Sequence, residues 1–69
     1  MRIYKFTRYD IKTLQTIDDE VSGDTTEEAM IYLWKHGFLV LNIEAQTEAD
    51  KEWLKEHNIK IKGEINNGK

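Results

Sequence analysis

Chemistry in a short chain needs titratable or ligating side chains brought to one place, and the two histidines, His36 and His57, are the first to weigh. Neither stands in a metal-ligand spacing such as two histidines four apart on one helix, and each falls near the expected end of a helix, where a surface or capping role is ordinary. Only a fold that joined them would make a histidine pair. The acidic run beginning at Asp18 has the outline of a calcium loop, with Asp18, Glu20, Ser22 and Gly23 in its first, third, fifth and sixth places. Its twelfth place, which must carry a bidentate glutamate, is Ala29, so the ligand on which the geometry depends is missing. Ser22 has no nucleophile elbow around it, and no glycine-rich phosphate loop occurs. Having no cysteine removes thiol catalysis, thiolate zinc sites and disulfides together. Thirteen carboxylates are present, but no two are marked by their neighbours for divided acid and base duty. The sequence nominates no catalytic residue, no metal and no cofactor, and the expectation is a protein that is not an enzyme.

Binding is the chemistry that remains. In the first ten residues Tyr4, Phe6 and Tyr9 interleave with Arg2, Lys5 and Arg8, a mixture that can stack bases and neutralise phosphates of RNA or single-stranded DNA. An ordinary core strand looks the same, with Tyr4 and Phe6 on one face, and a net charge of −3 opposes general affinity for phosphate. Nucleic acid is therefore the alternative and not the leading partner. Charge is unevenly spread: Asp10 to Glu28 holds seven acids against one base, and the rest nine bases against six acids. A solvated acidic face is the common meaning of such a run, and orientation of a partner is the other.

The elements that must position these residues can be read from periodicity. "MRIYKFTRYD" is a strand by its aromatic and β-branched content, Asp10 starts a turn, and "KTLQTIDDEV" is a second strand with Thr13, Gln15, Ile17, Asp19 and Val21 on one face and Leu14 on the other. The pair forms a hairpin whose second strand lies at or near an edge. After Gly23, Thr25 and Glu28 form a capping box, Glu27 and Glu28 sit at the positive end of the helix dipole, and Gly37 stops a helix that spans Thr26 to His36. On it Ala29, Met30, Leu33 and Trp34 span about 140° at 100° per residue, while Ile31 and Tyr32 fall outside that stripe on opposite flanks. "FLVLNIEA" is apolar on both faces from Phe38 to Leu41 and belongs in the middle of a sheet. Thr47 and Asp50 then start a helix from Glu48 to His57 with Ala49, Trp53 and Leu54 as its apolar stripe, ended by Asn58. In "IKIKGEI", Ile59, Ile61 and Ile65 alternate with Lys60, Lys62 and Glu64 as a half-buried strand whose lysines discourage edge pairing.

The order β-β-α-β-α-β, with no repeat or linker, predicts an α+β domain of two layers, helices packed on one face of a mainly antiparallel sheet. It occupies residues 1–65, with 66–69 as a flexible tail. The stretch "SGDTTEEAMIYLWKHGFLVLNI" is similar to a short strand-helix-strand signature, roughly G-x-x-x-x-E-E-A-x-x-x-L-x-x-x-G-x-x-V-x-x-I, found in small cytoplasmic modules such as the amino-terminal part of pilus and type II secretion platform proteins. It covers about a third of the chain and encodes a cap, a core stripe and a helix stop, so it implies local structure and no function. No run reaches the roughly 20 apolar residues of a membrane span, and with no cysteine or apolar leader the expected location is the cytoplasm. The expected function is a small accessory or phage-type regulatory protein. It binds another protein, or itself as a homodimer, through Ile31, Tyr32 and Trp34 together with Asp18, Asp19 and Glu20.

Overall fold

Alternating burial along the first nine-residue strand sets the frame of the molecule, since Tyr4 and Phe6 turn inward while Ile3 before them and Lys5 between them stay exposed. A computed structural model describes residues 1–63, and within it the elements follow the expected order: β1 (Arg2–Asp10), β2 (Gln15–Gly23), α1 (Thr26–Lys35), β3 (Leu39–Ile43), α2 (Glu48–Glu56) and β4 (Lys60–Ile61). The upper domain boundary at residue 65 and the tail 66–69 lie outside the described residues. One sheet of order β2-β1-β3-β4 results, with β1 antiparallel to both β2 and β3, and β4 parallel to β3 through the crossover of α2. β2 is an edge and β3 is interior, as their polarity required. No described helix is long and apolar enough to cross a membrane.

Both helices begin and end by the same chemistry. Thr25 and Thr47 are N-caps whose hydroxyls accept the amides of Glu28 and Asp50 at 3.1 Å, which satisfies donors that a helix start leaves unpaired. At the far ends, Gly37 (φ +79°) and Asn58 (φ +58°) adopt the left-handed conformation. They donate to Trp34 and Lys55, and the residues after them, Phe38 and Ile59, donate to Leu33 and Leu54. This is the paired bonding of the Schellman motif, and it turns each helix directly into the following strand. α1 stops at Lys35 and α2 at Glu56, one residue short of expectation, because His36 and His57 are the caps.

Two strands are shorter than their apolar patterns. β2 starts at Gln15, because Asp10 accepts the amides of Lys12 through its side chain (2.9 Å) and of Leu14 through its carbonyl (2.8 Å), drawing residues 11–14 into the turn. β3 keeps Leu39–Ile43 and loses Phe38 to the helix stop and Ala45 to the next loop. Among the described residues β4 is Lys60–Ile61; the Lys62 amide still donates to the Ile43 carbonyl at 2.9 Å before the chain turns at Gly63 (φ +79°), and the expected continuation through Glu64 and Ile65 lies outside the described residues. A bulge between Thr7 and Arg8 leaves Leu41 of β3 without an opposite residue.

The core lies between the helices and one face of the sheet. Tyr4, Phe6, Val21 and Ile43 from the strands meet Ala29, Met30 and Leu33 of α1 and Leu54 of α2, and Phe38, Trp53, Ile59 and Ile61 close its margin. Phe6 and Phe38 pack edge to face at 6.3 Å. Each large apolar side chain buried here stabilises the fold by roughly 1.5–3 kcal/mol before ordering entropy is subtracted.

Candidate interaction surface

α1 packs over β2 and β3 and beside α2, which covers one of its flanks. Trp34 meets Trp53 with ring centres 6.1 Å apart, and Trp53 in turn stacks on His57 at 4.2 Å. Trp34 nevertheless keeps 48 % of its surface open, and Ile31, about 60° further round the helix, keeps 39 %. Tyr32 is 52 % exposed, about 160° from Trp34 on the other flank, and its ring centre lies 4.3 Å from that of His36. The three apolar residues therefore form two patches, Ile31 with Trp34 and Tyr32 with His36, separated by the outward Glu28 and Lys35. His36 and His57 stand against different aromatics on different helices. Among the described residues no group of three or more His, Cys, Asp or Glu side chains gathers as metal ligands would.

The acids of β2 are divided by the pleat. Phe6 lies opposite Asp19, which places Asp19 on the helix-bearing face, while Asp18 and Glu20 lie opposite Thr7 and Lys5 on the open face. Lys62 reaches across that face, donating to Thr7 Oγ1 at 2.9 Å and to Asp18 Oδ1 at 3.3 Å, and Thr7 Oγ1 donates to the same Asp18 oxygen at 2.8 Å. The Thr7 hydroxyl first, and the Lys62 ammonium after it, hold the Asp18 carboxyl below its ordinary range. Asp19 Oδ2 is 3.5 Å from Arg8 Nε, and its Oδ1 accepts the amide of Glu20 at 2.8 Å, so a side chain occupies a backbone donor of the strand. Lys5, Asp18, Asp19, Glu20 and Lys62 line a shallow open basin of about 550 Å³. The run that is lopsided along the chain is locally balanced in space by Lys5, Arg8 and Lys62. The apolar patches of α1 and the acids on the open face do not make one continuous surface.

The first strand is not a stacking platform. Tyr4 and Phe6 are 0 % and 1 % exposed in the core, so two of the three aromatics expected to receive bases cannot meet them. Tyr9 is partly buried, Arg8 lies with its guanidinium 5.3 Å from the centre of the Phe38 ring, and only Arg2 and Lys5 of the six proposed contacts are exposed. Cations that are spent on an aromatic ring and a carboxylate do not track a phosphate backbone.

One polar residue goes unremarked in the sequence beyond its capping role. Asp50 is 3 % exposed, and its carboxylate accepts the Tyr4 hydroxyl at 3.0 Å, the Gln46 amide at 3.0 Å and the Thr26 amide at 3.1 Å. Burial alone would push its carboxyl up, but these donors together outweigh burial and hold it below its ordinary range. Burial, reinforced by the bond to Asp50, pushes Tyr4 up to about 12. The signal was the Thr-x-x-Asp spacing at residues 47–50, which marks a helix start but says nothing of contacts 24 and 46 residues away.

Compared with known proteins, the chain has no significant match to any family, curated protein or solved structure.

Proposed function

We propose that this domain acts by binding another protein through the outward apolar residues of α1, and that it carries out no catalysis of its own. The observation that supports this most directly is Trp34. With α2 packed alongside and Trp53 against its ring, it still leaves about half of its surface, and the neighbouring Ile31, open. A rigid aromatic held in place on one side and open on the other offers contact area at little entropic cost, and such residues are enriched among those that dominate protein interfaces. Tyr32, on the far flank, is a second contact point. Asp18 and Glu20, facing away from the helices, serve steering and solubility in this reading rather than direct contact. An accessory or phage-type regulatory role in the cytoplasm completes the proposal and rests on the small size of the domain.

The test is a comparison of the chain with Ile31→Glu and Tyr32→Glu variants, each checked for folding by circular dichroism. Light scattering after size exclusion over a range of concentrations reads self-association, and immobilised protein reads capture of partners from a lysate. Loss of a dimer, or loss of a captured protein, in the Ile31→Glu variant is expected. An unchanged mass and an unchanged set of captured proteins in both variants would remove this surface from consideration.

A further inference from the structure

The buried carboxylate of Asp50 has no cation beside it among the described residues. No Lys, Arg or His of those residues forms an ion pair with it, and the donors that hold its charge there are dipoles. Those dipoles come from three different elements. Oδ1 accepts the amide of Thr26, the first residue of α1, while Oδ2 accepts the amide of Gln46, in the loop that leads into α2, and the hydroxyl of Tyr4 on β1. The Asp50 amide is meanwhile tied to the Thr47 cap, and the Thr26 hydroxyl donates to the carbonyl of Glu44 at 2.7 Å. The starts of both helices thus converge on one negative charge, where the positive ends of both helix dipoles are directed.

Such an arrangement is not separable into one helix at a time. If α1 lifted alone, the Asp50 charge would stay buried with one of its donors gone. If α2 lifted alone, the Thr26 amide and the Tyr4 hydroxyl would be left buried without an acceptor. An unsatisfied buried charge or donor costs far more than the bond that satisfied it contributes. Each partial opening is therefore penalised by the groups it strands, and the joint opening, which lets water reach them all, is not. We propose that Asp50 is a clasp that makes α1 and α2 open from the sheet together, as one layer, and not as two independently mobile helices. The inference stands apart from any partner that α1 binds.

Hydrogen exchange of the intact chain, followed by nuclear magnetic resonance under conditions where opening is at equilibrium, reads this directly. In the unaltered chain the slow amides of α1 and α2 are expected to share one opening constant. In the Asp50→Asn variant, which keeps the shape but removes the charge and turns an N–H₂ toward at least one N–H, the two helices are expected to acquire constants at least about tenfold apart. Tyr4→Phe removes a single hydroxyl and serves if that variant does not fold. It is expected to lower protection in both helices by the same factor, roughly ten- to a hundredfold for the loss of one hydrogen bond to a charged group. Separate constants in the unaltered chain would overturn the clasp. So would constants that stay equal in Asp50→Asn, or a Tyr4→Phe effect confined to one helix.

Discussion

Leu14 and Asn58 are the two non-glycine residues with positive φ among those described, at +61° and +58°. Asparagine tolerates that conformation and leucine does not, and Leu14 is 71 % exposed, so no packing offsets its strain. Leu14→Asn is expected to stabilise the domain by about 0.5–1 kcal/mol, read as a higher urea midpoint at constant slope. Two buried residues shape the response to pH, alongside the exposed Asp18, whose lowered pKa adds in the same direction as Asp50. Asp50 has a folded-state pKa below the unfolded value, so it adds stability at neutral pH, and that contribution is lost as pH falls below about 4 and through the folded value. Tyr4 has the opposite sign. Its pKa near 12 leaves its contribution intact below about 10 and removes it between there and 12, where the unfolded chain ionises first, at a cost of about 3 kcal/mol. Urea midpoints across pH should fall at both extremes, and in Tyr4→Phe the alkaline fall should disappear. The residue scale is also where the sequence is least legible. Alternation placed Tyr4 and Phe6 on one strand face without deciding which face turns inward, and nothing local to Tyr4 or Asp50 announces that they meet, because that contact depends on the packing of β1 against α2.

At the scale of elements the sequence is far more explicit, since caps and stops are written in three or four consecutive residues. Thr25 with Glu28 and Thr47 with Asp50 placed both helix starts, and Gly37 and Asn58 both stops, to within one residue. Strand ends were less legible because they depend on pairing, and Leu14, expected in the second strand, lies instead in the turn that Asp10 closes by accepting its amide. The two helix-strand units, α1 with β3 and α2 with β4, share one plan even though their residues are not a repeat. In each, a threonine cap precedes an acid that also takes the amide four residues back, and histidine and a left-handed residue close the helix. The stop after α1 can be probed by Gly37→Ala. A Cβ there would meet no atom within 4 Å, so the cost is conformational only, about 1 kcal/mol by thermal or urea denaturation. Gly37→Asn should recover part of it.

As a whole, the molecule is a four-stranded sheet covered on one side, and its single core is small. A chain of 69 residues with one such core has a total stability of roughly 3–5 kcal/mol, and removing a buried phenylalanine costs about as much. Phe6→Ala is therefore expected to leave the chain largely unfolded at 25 °C, visible as loss of far-ultraviolet circular dichroism, whereas Trp34→Ala should leave it folded. The fold class was legible because binary patterning and punctuation agreed along the chain. The interaction surface was not, because whether a flank is covered depends on which helix lies beside it, and the acidic run lost its lopsidedness only when Lys5, Arg8 and Lys62 were brought next to it. The seam between the helices also has an optical meaning. Both tryptophans of the chain, Trp34 and Trp53, sit there within 6.1 Å, with the His57 imidazole stacked on the second. Emission and near-ultraviolet dichroism excited through indole therefore come from this one junction, and the protein carries an intrinsic chromophore pair that reports on its helix layer without a label.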